Sequence, residues 1–296
     1  MANYNKRLPG NVDGEFFVDS TCIDCDACRQ LAPDVFREDG NFSSVYSQPK
    51  TGEERRSALR ALLACPTGSI GTLEKIGIKE VYDDFPLAIE GDVSYCGFNS
   101  PDSFGGNSYF IRGADGNWLI DSPKFVHFLV KKFEQLGGIR RIFLTHRDDV
   151  ADAEKFAQHF HAERIIHRYE LSAQPDAEIV IEGDEPVQLE PDFLVVPTFG
   201  HTKGHCTLLY KNRFLFSGDH LWWSRNHQRL NAGRDVCWYD WRMQADSMAR
   251  LLDHSFEWVL PGHGQKVKLP REEMKAQLSA LVQIMTTPPQ SVASFF

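Results

Sequence analysis

From Asn107 onward, short apolar runs of β type alternate with stretches whose apolar residues recur at helical spacing. Ser108 to Arg112 and Trp118 to Asp121 read as strands, joined by the turn Asp115-Gly116-Asn117. A helix from Phe125 to Leu136, a strand from Arg141 to Thr145, a helix from about Ala153 to Phe160 and a strand from Arg164 to His167 follow. Further strands are expected at Phe193–Pro197, Cys206–Tyr210, Arg213–Ser217 and Trp258-Val259-Leu260, with a helix from Asp240 to Leu252 before the last. Mixed elements in this order suit a layered α/β domain. Nearer the start, Leu59, Leu62 and Leu63 stand at helical spacing within Glu53 to Leu63 and predict one more helix. No internal repeat or low-complexity tract is visible. Lys75-Ile76-Gly77-Ile78-Lys79 and Asp83-Asp84-Phe85-Pro86 break the first pattern before the second begins, which places a boundary near residue 76 and predicts domains 1–75 and 76–296. At about 150 residues per domain, 296 residues suit two domains.

Composition narrows the function classes. Hydrophobic residues at 42% and charged residues at 25% are those of a globular chain. A net charge of −9 repels nucleic acid and anionic membrane, so neither is an expected partner. The longest apolar runs, such as Phe193-Leu194-Val195-Val196, fall far short of the roughly 20 residues that cross a bilayer. The opening MANYNKRLPGNVDG has no apolar stretch, so no secretory signal is expected and the cytosol is the expected location. There, seven cysteines point to metal or redox chemistry rather than to disulfides.

Cys22, Cys25 and Cys28 stand at C-x2-C-x2-C spacing, and Cys65-Pro66 follows at a distance. Three thiolates on one tight loop reach three corners of a cubane cluster, while the fourth corner needs a ligand from elsewhere, here Cys65. Pro66 turns the chain away from helix. A structural zinc site would use the same number of ligands but usually as two C-x2-C pairs. Residues 14 to 74 resemble a single-cluster bacterial-type ferredoxin, including Ala32-Pro33-Asp34-Val35-Phe36 and Ala64-Cys65-Pro66-Thr67-Gly68-Ser69-Ile70. The resemblance implies one 4Fe–4S cluster: Cys25 is present, and Ala32 stands where two-cluster members have another cysteine. The helix from Glu53 to Leu63 is expected to pack over that cluster and deliver Cys65. Between Asp13 and Asp39 lie eight acidic residues (13, 15, 19, 24, 26, 34, 38 and 39) against Arg29 and Arg37. They form either a solvated surface or a docking patch for a basic redox partner.

The remaining chemistry gathers where strands run into loops: Thr145-His146-Arg147-Asp148-Asp149-Val150-Ala151-Asp152, Gly200-His201-Thr202-Lys203-Gly204-His205, Ser217-Gly218-Asp219-His220 and Pro261-Gly262-His263-Gly264. Imidazole and carboxylate from several strand ends are what a hydrolytic or redox metal site needs. The order resembles the metallo-β-lactamase fold over roughly residues 95 to 270. The fold class implied is α+β: a small ferredoxin-like domain, then a four-layer αββα metallo-β-lactamase-fold domain. By the resemblance, Asp121 falls on a supporting aspartate, His146 on the first histidine of H-x-H-x-D-H and His201 on the histidine of G-H-T-x-G-H. Asp219 falls on the carboxylate that often bridges two metals, His263 on the last histidine, and His205 on a position that is more often structural.

The second motif departs from the family. Aligned without a gap, Asp148, Val150 and Ala151 replace its other two histidines and its aspartate. With one-residue shifts, Asp149 takes the second histidine's place, Asp152 the aspartate's and Ala153 the third histidine's. Three arrangements stay open: one metal on His146, Asp148 or Asp149, and His201; a carboxylate-rich dinuclear site adding Asp152, Asp219 and His263; or no metal. The expected cofactors are the 4Fe–4S cluster and one or two metal ions, with iron favoured by the extra carboxylate and zinc the alternative. His220 and His227 could add ligands, although each suits a hydrogen-bonded or surface role. Cys96, Cys206 and Cys237 have no ligand spacing and are expected as buried small hydrophobes. The aromatic stretch Leu221-Trp222-Trp223 and Trp238-Tyr239-Asp240-Trp241 suits packing of a loop and helix on the sheets, or a lid over the metal pocket.

A 4Fe–4S cluster carries one electron, for which water activation has no use. The fusion therefore predicts an oxidoreductase in which the ferredoxin module passes electrons to a non-haem iron site acting on a small molecule. Flavodiiron proteins, with iron in this fold and H-x-E where this chain has His146-x-Asp148, reduce oxygen or nitric oxide. The expected partners are a redox donor protein or small-molecule reductant and a small-molecule substrate, with homo-oligomers left open. The alternatives are a thioester or lactone hydrolase with a structural or sensing cluster, and an electron-transfer protein with a vestigial second domain.

Overall fold

The computed structural model describes residues 2–74 and 77–287, so the boundary expected near residue 76 lies outside the described residues. Two compact units form. One runs through Ile181 and takes in Gly262–Gly264; the other comprises Glu182–Pro261 and the chain from Gln265 onward. Among the described residues no helix is long and apolar enough to cross a membrane.

The first unit opens with two small antiparallel pairs, Phe16–Val18 with Ile70–Thr72 and Phe36–Asp39 with Phe42–Val45. The predicted helix runs over Gly52–Ala64, started by Thr51, whose hydroxyl accepts from Glu54 N at 3.1 Å. It ends at Cys65, whose N–H still reaches Ala61 O at 3.0 Å before Pro66 stops the ladder. Ala58, Leu59, Ala61 and Ala64 make its buried face, whereas Leu62 and Leu63 are only partly buried. A short helix, Ala27–Leu31, packs against it.

The same unit holds a seven-stranded sheet in the order Ile179–Ile181, Glu163–His167, Arg141–Phe143, Trp118–Ile120, Tyr109–Ile111, Val93–Tyr95, Leu87–Glu90. The first four strands are parallel and the rest antiparallel. Parallel neighbours need crossovers, and the helices His127–Gln135 and Ala153–Phe160 supply two of them. Trp118, Leu119 and Ile120 are all fully buried, the unbroken apolar run expected of a parallel strand covered on both faces. Asp121 and the Leu144-Thr145-His146 segment leave the same ends of two adjacent parallel strands, where open α/β sheets form binding crevices.

The second unit is built on a six-stranded sheet in the order Val187–Glu190, Phe193–Pro197, Cys206–Tyr210, Phe214–Gly218, Trp258–Pro261, Val267–Lys268. Only the pair Phe214–Gly218 and Trp258–Pro261 is parallel. The helices Trp241–Arg250 and Arg271–Thr286 share its core with Val196, Leu215 and Val259. A hairpin, Trp222–Ser224 with Arg229–Asn231, interrupts the aromatic stretch. Trp223 and Trp241 pack on the core, so the packing reading holds for them.

One ion-pair group ties the cluster-delivering helix to the chain beyond it. Arg56 and Arg60 both hold Asp84, Arg60 Nε at 2.7 Å from Oδ2, and the Asp84 side chain is only 8% exposed. These guanidiniums, Arg56 foremost, hold the Asp84 carboxyl below the usual carboxylate range. A carboxyl with a depressed folded pKa lends stability that is complete above its unfolded value, near 3.8, and is lost as pH falls below it. Asp84→Asn is expected to lower unfolding free energy at pH 7 by about 2 kcal/mol and to flatten its dependence on acid, measured by urea denaturation from pH 7 to pH 3.

Candidate metal centres

Cys22, Cys25, Cys28 and Cys65 line one cavity together with apolar Val18, Ile23, Ala27 and Ile70. Left-handed backbone at Asp24 (φ 58°) and Asp26 (φ 65°) brackets Cys25 and wraps the loop tightly enough to aim all three thiols inward. Backbone N–H groups point at the sulfurs: Asp24 N and Ser43 N at 3.5 Å from Cys22 Sγ, and Ser69 N at 3.3 Å from Cys65 Sγ. Burial, reinforced by Cys65, Cys22 and Asp26, pushes the Cys25 thiol up to about 12, and burial raises Cys28 as well. Thiolates crowded this way need a cationic core between them, and N–H···S bonds tune its potential. The four residues therefore fit a cubane cluster.

The acidic surface around the loop is smaller than its composition suggests. Asp19 is 1% exposed and bonded to Thr21 and Asn3, while Arg29 binds both Asp24 and Asp26 at 2.6 Å. With Asp13, whose Oδ1 lies 3.0 Å from Arg7 Nη2, four of the eight acids are engaged within the chain.

At the ends of the parallel strands in the same unit, Asp121 Oδ1 accepts from Thr145 N at 2.8 Å and from Thr145 Oγ1 at 3.0 Å. With its proton on Asp121, the Thr145 hydroxyl accepts from His146 Nδ1 at 3.0 Å, which leaves Nε2 as the lone-pair nitrogen. His146 is fully buried. Its Nε2 lies 3.8 Å from Asp148 Oδ2 and its Nδ1 4.0 Å from Asp149 Oδ2; Asp148 is half exposed and Asp149 is buried. His263 Nε2 donates to Ser103 O at 3.1 Å, so Nδ1 is the nitrogen that carries the lone pair. Asp152 turns elsewhere: its Oδ2 accepts from Phe125 N and its Oδ1 from Lys155 Nζ, both at 2.7 Å.

In the second unit, His201 Nε2 lies 3.6 Å from Asp219 Oδ2. His205 uses both ring nitrogens, Nδ1 with Thr198 Oγ1 at 2.9 Å and Nε2 accepting from Asp219 N at 3.2 Å, as a structural histidine does. His220 stacks on His205 with centroids 5.7 Å apart, and neither of its ring nitrogens has a hydrogen-bond partner among the described residues. The surface or hydrogen-bonded role expected for its ring is thereby corrected. Burial and His201 push it down to about 3, so the ring is a neutral imidazole with a lone pair. The signal for it in the sequence was its place directly after Asp219, between an apolar strand and Leu221. His227 is exposed and bonded to Ser224 Oγ at 3.0 Å. Cys96 and Cys206 are buried as expected, but Cys237 is only partly buried because it sits in the exposed loop that carries Trp238. The Trp238 ring stands 6.4 Å from that of His201 and is 67% exposed, which keeps the lid reading for that residue.

A family model described as the 4Fe-4S single cluster domain of ferredoxin I matches residues 18–72. The model of the metallo-beta-lactamase superfamily matches residues 101–263, more than half of the chain. The chain belongs to the metallo-β-lactamase superfamily. Its fold is accordingly a ferredoxin-like region followed by that superfamily's α/β sandwich. BLEG-1, a B3 metallo-β-lactamase, is 18% identical, covering 66% of this chain and 100% of its own, with a TM-score of 0.51. The metallo-β-lactamase from Pontibacter korlensis is 16% identical over 68% of this chain and 98% of its own, with a TM-score of 0.50. TTHA1623, solved in a di-iron-bound form, is 24% identical over 66% and 98%, with a TM-score of 0.47. The first two are likenesses of fold alone. No curated protein matches the chain significantly.

As a superfamily member, the protein orients His146 through Asp121 and Thr145 rather than through a direct carboxylate contact. Thr145→Val removes both the hydroxyl's donation and its acceptance. It should weaken metal binding by about 10- to 100-fold, measured by titrating metal-depleted protein with zinc or iron(II), and Thr145→Ser should restore most of it.

Proposed function

We propose that this protein is a redox metalloprotein in which a ferredoxin-type 4Fe–4S module feeds electrons to a non-haem iron site, and that the reaction is reduction of a small molecule such as oxygen or nitric oxide. Cys22, Cys25, Cys28 and Cys65 would hold the cluster. The candidate metal ligands are His146, Asp148 or Asp149 and His263 in the first unit, and His201 and Asp219 in the second, with His220 as a further imidazole beside Asp219, for one or two metal ions. Iron bound there would cycle between its ferric and ferrous states and bind the small oxidant. The chain's own residues do the rest. Asp121 and Thr145 fix the His146 tautomer, the Ser103 carbonyl fixes that of His263, and Trp238 shields His201 from bulk water. A redox donor protein or small-molecule reductant would supply the electrons.

One observation carries this reading: the four-cysteine cavity and the buried His146 and Asp149 belong to one compact unit, so a cluster held there would share a body with candidate ligands of the second site. A hydrolytic site would not need the carrier. Superfamily membership and the His201–Asp219 pair support the second reading, a metal-dependent hydrolase of thioester or lactone type.

Elemental analysis of protein purified without oxygen separates the two. The redox reading expects iron beyond the four atoms of the cluster, and oxygen or nitric oxide consumption that Cys65→Ala abolishes. Zinc in the second site, with ester turnover surviving Cys65→Ala, would establish the hydrolase instead.

A further inference from the structure

If the redox reading above holds, an electron must leave the cluster by some route, and one segment of the first unit touches both centres. Gly105 has φ +85°, and a Cβ built on it would fall 2.6 Å from Cys25 Cβ and 2.9 Å from Cys25 Sγ. At the next residue, Gly106, a Cβ would fall 2.7 Å from Asp149 Oδ1. Two consecutive glycines thus bring bare backbone against a cluster cysteine on one side and against the buried carboxylate beside His146 on the other.

The bland explanation is a tight turn, in which glycine serves only conformation. It suits Gly105 but not Gly106, whose φ is not in the left-handed region. At Gly106 the side chain is missing because Asp149 occupies the space.

The segment is also held from several sides. Fully buried Asn99 donates to Gly105 O at 2.6 Å and accepts from Tyr95 OH at 2.6 Å. Gly106 N reaches Ser103 O and Asn107 N reaches Gly262 O, at 2.8 and 2.6 Å. The Ser103 carbonyl that accepts the hydrogen bond from His263 Nε2 belongs to the same turn. A strap fastened this way keeps its two contacts at fixed distance, as a conducting path requires.

We propose that the Gly105-Gly106 backbone is the electron path from the cluster at Cys25 to the metal site at Asp149 and His146. One electron passes: the cluster is oxidised by one, a ferric ion at the second site is reduced to ferrous, and no bond or proton changes. Gly105, Gly106 and Asn99 act as positioning residues.

The test is flash photoreduction of anaerobically prepared holoprotein, following cluster absorbance as the electron leaves. In the native chain the cluster should reoxidise at a rate independent of protein concentration, and this phase should vanish when zinc replaces iron in the second site. Gly105→Ala and Gly106→Ala should each slow the phase by about 10- to 100-fold with cluster absorbance and iron content retained, and Asn99→Ala should slow it as well. If Gly105→Ala loses the cluster, Gly106→Ala decides, since its added carbon meets Asp149 rather than Cys25. Variants that transfer at the native rate, or a native rate that rises with concentration, would overturn the path while leaving the redox function standing. A native protein with iron in both sites and no such phase would overturn the redox reading itself.

Discussion

An ionisable group buried under apolar strands keeps its charge only where a counter-charge or a set of donors is buried with it. The organisation of this protein follows from how each such group is answered. Asp84 is met by two guanidiniums and Glu170 by Arg147, so both are answered within the chain. Asp121 is met by the Thr145 N–H and hydroxyl. Among the four cysteines, Cys22 and Cys65 are met by backbone N–H groups and Cys65 also by the Thr67 hydroxyl, while burial and the neighbouring thiols raise Cys25. N–H groups soften that repulsion without cancelling it, and a cationic iron–sulfur core would.

The folds around the two centres differ in how they deliver donors. At the cluster, a left-handed loop and a helix end converge on one cavity, so ligands close in sequence and one distant ligand meet. In the seven-stranded sheet, donors leave the ends of adjacent parallel strands, and register does the positioning: Ile120 pairs with Phe143, which sets Asp121 beside Leu144-Thr145-His146. Both faces of that strand are buried, so a one-residue slip would exchange two closely packed faces, and the packing of Trp118, Leu119 and Ile120 indirectly holds the histidine in place.

Long or strongly patterned segments were legible from the letters alone. The strands Phe193–Pro197 and Cys206–Tyr210 and the helix Ala153–Phe160 stand where their patterns put them, and the cysteine spacing found its cavity. The three-residue strand Val93–Tyr95 was not legible, because three residues cannot display a period. The helix Arg271–Thr286 was missed for the opposite reason: Met274, Leu278, Leu281 and Met285 mark its buried face, but other apolar residues around it blur the stripe. Among site residues, Asp152 carried the right letter for a ligand and went to Phe125 and Lys155 instead, which only tertiary contacts could reveal. The strap from Asn99 to Asn107 carries no chemical motif at all; its meaning lies in what its missing side chains allow to approach.

One position altered from the superfamily motif lies against the strap. By the shifted alignment, Asp149 stands in place of an imidazole, and its carboxylate lies where a Gly106 side chain would be. A carboxylate is a harder donor than imidazole and shifts a site's preference toward iron and manganese. It is also short enough to sit against backbone, where a histidine ring would force the strap away. By that alignment the same substitution permits the close packing of the carboxylate against the Gly106 backbone.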